Sequence, residues 1–122
     1  MKQLNILFVL FWFIIGCQEI NSEPTATTDP IVRDPATLIY SKHARCRMDC
    51  RHIDESEVAE ILQKGRVNYA KSEPAGRPDP KYALEGTTRD GQNVRIVFAA
   101  SKRGTVVVTV IDLDRDWHCN CR

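Results

Sequence analysis

Two groups of residues in this chain have the types and spacing that chemistry needs. His43, Arg47 and Arg51 recur at every fourth position, and Cys46 and Cys50 are interleaved with them at the same interval. Cys119 and Cys121 flank a single residue near the end of the sequence. Two guanidinium groups and an imidazole on one stripe describe an anion site, in which arginine forks onto phosphate or carboxylate and histidine transfers a proton. Lys71, Arg95 and Thr109 are the candidates to face that stripe from later segments. The same stripe also has a structural explanation. Arg47 and Arg51 could pair with Glu57, Glu60 or Glu85 while His43 fills a half-buried position, since ion-pair networks commonly produce such patterns.

The cysteines constrain one another. Cys46 and Cys50, one helical turn apart, would hold their Cβ atoms about 5 to 6 Å apart, too far for the roughly 3.5 to 4.5 Å that a disulfide wants. Cys119 and Cys121 in extended chain are about 7 Å apart. Each pair therefore seeks partners in the other. Two helix-to-tail disulfides satisfy this, and so does one structural zinc held by four thiolates, with His43 and His118 as substitute ligands. Both alternatives tie the C-terminal tail to the segment around Cys46.

The elements that must position these residues can be read from the pattern. Residues 38–51 lack proline and glycine and read as a first helix. On it His43, Arg47 and Arg51 span an arc of about 80°, between the cysteines on one side and Ala44 and Met48 on the other. A charged stripe on that face must be paired or must line a cleft. Asp54 and Glu57 form a capping-box signature for a second helix, with Val58, Ile61 and Leu62 as its apolar stripe and Gly65 as its stop. Residues 67–71, 82–88, 92–100 and 105–113 read as strands, the middle two joined by an Asp90-Gly91 turn and the last β-branched enough to be central. The expectation is an α+β domain, with two N-terminal helices on one face of a three- to four-stranded antiparallel sheet and the first helix stapled to the tail.

Ahead of this domain stands a different kind of segment. Lys2 precedes an apolar run over residues 6–15 that is shorter than the roughly 20 residues of a spanning helix and fits a secretory signal. It ends at Ile14-Ile15-Gly16-Cys17, which resembles the bacterial lipobox; by that resemblance Cys17 becomes a lipidated N-terminus and the protein's link to a membrane. Residues 1–16 are then a signal peptide, 17–36 a flexible proline- and threonine-rich tether, and 37–122 the folded unit. Gln18 favours the outer membrane of the cell envelope by analogy with lipoprotein sorting. Setting Cys17 aside turns five cysteines into a paired four. The 17 basic and 16 acidic residues exclude the strong basic excess of a dedicated nucleic-acid binder.

The segment YSKHARCRMDCRHIDESEVAEIL, together with Tyr82 to Glu85, Val94 to Val97 and Val106 to Ile111, resembles a bacterial domain-of-unknown-function family, number four-two-five-eight of its series. The pattern falls on His43-Ala44, Arg47-Met48, Arg51, Ile53 and Val58. The family in turn is similar to the RelE/BrnT-type toxin ribonucleases, with helices before a curved antiparallel sheet. That resemblance implies metal-independent RNA cleavage with His43, Arg47, Arg51 and Arg95 as catalytic candidates; Lys71 and Thr109 are ligand contacts only by the anion-cleft reading of the residues above. The residues themselves favour a non-enzymatic binding or accessory module in the envelope, with an anionic ligand or a protein as partner and no certain cofactor. A ribonuclease-like phosphodiesterase and a zinc-stabilised or metal-sensing module are the alternatives.

Overall fold

A computed structural model describes residues 29–122. The expected signal peptide, Cys17 and the first part of the expected tether lie outside the described residues. Among those described, no helix is long and apolar enough to cross a membrane. After a 3-10 turn at Pro35–Thr37 the order is β1 (Leu38–Tyr40), α1 (Lys42–Arg51), α2 (Glu55–Lys64), β2 (Arg66–Glu73), β3 (Lys81–Thr87), β4 (Asn93–Ser101) and β5 (Gly104–Asp112). The fold is α+β, as expected. The sheet, however, has five strands in the order β1-β5-β4-β3-β2, and it is mixed because β1 runs parallel to β5.

The extra strand comes from the front of the expected first helix. Leu38-Ile39-Tyr40 is β-branched and aromatic, and its registry with Thr105 to Val107 pairs what would otherwise be an open sheet edge. Ser41 then starts α1 as its N-cap, its Oγ accepting from the Ala44 amide at 3.0 Å. The helix ends at His52, which takes the left-handed conformation at φ 55°. In α2 the capping box is complete: Glu57 N donates to Asp54 Oδ1 at 2.9 Å and Asp54 N donates to Glu57 Oε1 at 3.3 Å. Gly65 stops the helix by allowing a close approach, since a Cβ there would sit 2.5 Å from the Ile61 carbonyl oxygen.

Both helices cover the same face, α1 over β5 and α2 over β3. Val94, Ile96, Phe98, Leu84, Val107 and Val110 point into the core against Ala44, Met48, Val58, Ile61 and Leu62. Full burial of each large apolar side chain contributes about 1.5 to 3 kcal/mol. The packed unit begins earlier than the expected tether boundary allows. Ile31 is buried in this core, and Arg33 donates to the carbonyls of Leu62 at 3.0 Å and Gly65 at 2.7 Å. One isoleucine and one arginine suffice to lay a proline-rich segment against α2. The opposite face of the sheet carries Glu85, Arg95, Val97, Thr109 and Ile111, with no helix over it.

Candidate functional site

The stripe on α1 meets the edge of β5. Past Val107 that strand has lost its β1 neighbour, so its outward carbonyls need donors. Ser41 Oγ donates to the Val108 carbonyl at 3.2 Å, and Arg51 Nη1 donates to that of Val110. A guanidinium thus stands where a longer β1 would. Burial pushes the Arg51 pKa down, the neighbouring Arg47 adds to this, and Asp112 opposes it. None of the carboxylates expected to neutralise the stripe does so: Glu57 is committed to the capping box, Glu60 lies 4.0 Å from Lys64, and Glu85 pairs with Arg95 at 2.6 Å. Arg47 is half-buried with its Nε unpartnered among the described residues, and His43 is exposed. The core side of the helix is centred on Ala44 and Met48, one step round from the charged stripe.

The tail returns over the other flank of α1. Cys46 bonds Cys121 and Cys50 bonds Cys119, each with Cα atoms 5.8 Å apart. Of the two ways to satisfy the four cysteines, the structure has the disulfides, which leave no thiolate on these sulfurs for a metal. Trp117 anchors the approach to them. Its Nε1 donates to Asp112 Oδ2 at 3.0 Å, its ring meets His52 edge-on at 5.2 Å, and the Arg115 guanidinium lies 3.9 Å over it. The Trp117 hydrogen bond, with others from the Asp114 amide and Gln92, holds the Asp112 carboxyl below its ordinary range against the opposing effect of burial.

The remaining candidates lie elsewhere. Arg95 and Thr109 are on the uncovered face, Thr109 opposite Val97, and Lys71 is exposed on β2. The fold therefore separates Arg95, Lys71 and Thr109 from His43, Arg47 and Arg51 rather than gathering them into one cleft. Burial raises the Glu85 pKa, but the hydrogen bonds from Arg95 and from Asn68 at 3.2 Å outweigh it and bring the carboxyl below its ordinary range.

Sequence reasoning missed a groove of about 600 Å³ at the β3–β4 hairpin end of this uncovered face. Lys64, Arg66, Glu85, Thr87, Asn93, Leu113 and Asp114 line it. They come from four separate stretches of chain at or near the ends of elements, with no spacing that announces them; only the sheet order brings them together.

Residues 40–112 match the family described as a domain of unknown function, DUF4258. The chain belongs to the DUF4258 family. No curated protein and no solved structure matches it. The DUF4258 span holds Cys46 and Cys50 but stops before Cys119 and Cys121, so each disulfide joins the matched domain to a tail beyond it. Leu113 and Asp114 of the groove also follow the last DUF4258 position.

Proposed function

We propose that this protein is a lipid-anchored lipoprotein of the bacterial cell envelope, presenting its DUF4258 domain as a binding or accessory module. The observation that carries the reading is the pairing of four of the five cysteines into two helix-to-tail disulfides. Such bonds persist in oxidising compartments. They also leave Cys17, at the end of the apolar run, as the one cysteine to accept lipid. Several acyl chains on one residue make a stable anchor where a single chain is marginal. Gln18 after that cysteine favours the outer membrane.

Metabolic labelling with an alkyne-tagged fatty acid, followed by membrane fractionation, tests this. The wild-type chain takes up label and sediments with membranes; Cys17→Ser takes up none and is left as unprocessed precursor. Equal labelling of both chains, or a wild type found wholly in the soluble fraction, would overturn the assignment. The ribonuclease-like reading draws on Arg47 having no paired carboxylate among the described residues. A nuclease assay tests it: RNA cleavage by purified wild type that His43→Ala abolishes would replace the binding module with an enzyme.

A further inference from the structure

The groove on the uncovered sheet face has a neutral, satisfied floor and two charged walls. The floor is Glu85, neutralised from outside the groove by Arg95, and the hydrogen bond from Thr87 Oγ1 to Asn93 Oδ1 at 2.7 Å. On the β2 side stand Lys64 and Arg66. Lys64 is 76% exposed with only its 4.0 Å contact to Glu60, and Arg66 has no ion pair or side-chain hydrogen bond among the described residues. Arg66 does attract Glu85 through space, but that carboxylate already accepts from Arg95 and Asn68. On the other side, Asp114 accepts at 2.7 Å from the neutral amide of Asn93 and meets no cation among the described residues. Beside it, Leu113 is 42% exposed, with its backbone amide bound to the Asn93 carbonyl at 2.8 Å.

Unlike charges thus face each other across the groove without being able to meet. Asp114 follows β5 and is held against β4 through Asn93, while Arg66 is on β2, three strand spacings or about 14 Å from β5 at the backbone. A molecule that bridges them needs an ammonium for Asp114 and a carboxylate for Arg66 and Lys64. An extended chain covers about 3.3 to 3.6 Å per residue, so three or four residues match the gap once the reach of the Arg66 and Asp114 side chains is taken off. A larger molecule with only one charged end would leave a wall unpaired. We propose that this groove binds short peptides through both free termini, the ammonium on Asp114, the carboxylate on Arg66 and Lys64, and an apolar side chain against Leu113. The assignment rests on the reading of the domain as a binding module and is independent of the lipid on Cys17.

Isothermal calorimetry on the full-length protein in detergent, with Leu-Ala-Ala as probe, tests it. Leu-Ala-Ala binds, and N-acetylation or C-amidation of the peptide each weakens binding by about tenfold or more. Arg66→Gln and Asp114→Asn do the same while the thermal unfolding midpoint holds, as both side chains are exposed. Lack of binding up to about 10 mM peptide overturns the proposal. So does acetylated peptide binding as tightly as free peptide, which would make the groove a simple carboxylate site, or binding that neither variant weakens. In none of these cases is the anchoring result at Cys17 altered.

Discussion

At the residue scale, Asp112 shows how one carboxylate ties three parts of the chain together. It accepts from Trp117 of the tail, from Gln92 of the hairpin and from the Asp114 amide. These bonds favour the ionised form, so the folded pKa is depressed relative to the unfolded value of about 3.9. A group shifted downward stabilises the fold fully above its unfolded pKa, and that contribution is lost as pH falls through the folded value. Stability of the wild type therefore declines with falling pH in the window from about pH 4 downward. Asp112→Asn keeps an acceptor oxygen but cannot titrate, so its unfolding free energy changes less across that window. Denaturant unfolding at a series of acid pH values measures the difference; parallel curves for the two chains would show that Asp112 is not the source. His43, Arg47 and Arg51 stood out in the sequence because their spacing is regular. Asp112 had no such signal, since its partners are set by where β5 ends.

Between elements, the finding is the use of α1 side chains to close the edge of β5. A guanidinium is suited to this because it carries several donors on a long stem and can reach a backbone carbonyl across the helix–sheet gap. Arg51→Ala leaves the Val110 carbonyl without its donor and costs about 1 to 3 kcal/mol. Arg47→Ala breaks no hydrogen bond among the described residues and costs less than about 1 kcal/mol. Chemical denaturation of the two variants checks this, and equal losses would mean that the edge contact is not what Arg51 contributes. Much at this scale was legible. The capping box at Asp54 and Glu57, the stop at Gly65 and the turn at Asp90-Gly91, where Gly91 has φ 81°, depend on neighbours within a few positions. β1 was not legible. Three residues are too few to show alternation, and their partner lies more than sixty positions away.

For the molecule as a whole, the disulfides set the largest energy that can be assigned to a few residues. They join positions 75 and 69 apart. By the chain-entropy relation, the first to form restricts the unfolded chain by about 4.5 kcal/mol, and the second closes only a small ring for about 2.5 more. Losing either bond alone, as in C46S/C121S or C50S/C119S, therefore costs about 2 to 3 kcal/mol, because the other still closes the long loop. Losing both costs about 7, a large share of the 5 to 15 kcal/mol typical of a domain. Urea unfolding of the three variants tests this. Single losses that sum to the double loss would reject the shared-loop account.

The sequence by itself determined the α+β class, both caps of the second helix, the four longer strands, and the rule that each cysteine pair must find partners in the other. These follow from local geometry: periodicity, capping spacing, and distances too large for a bond within either pair. It also carried the family pattern on His43, Arg47 and Arg51. Only the tertiary structure decided the parallel β1, the inclusion of Ile31 in the core, and the disulfide over the metal alternative. It also set Arg95 and Thr109 on the face away from α1, and assembled a groove from Lys64, Arg66, Asn93 and Asp114. The physical reason is the same in each case. Strand order and the side on which a chain returns are chosen by how the whole apolar surface is buried, a global quantity that no local spacing encodes.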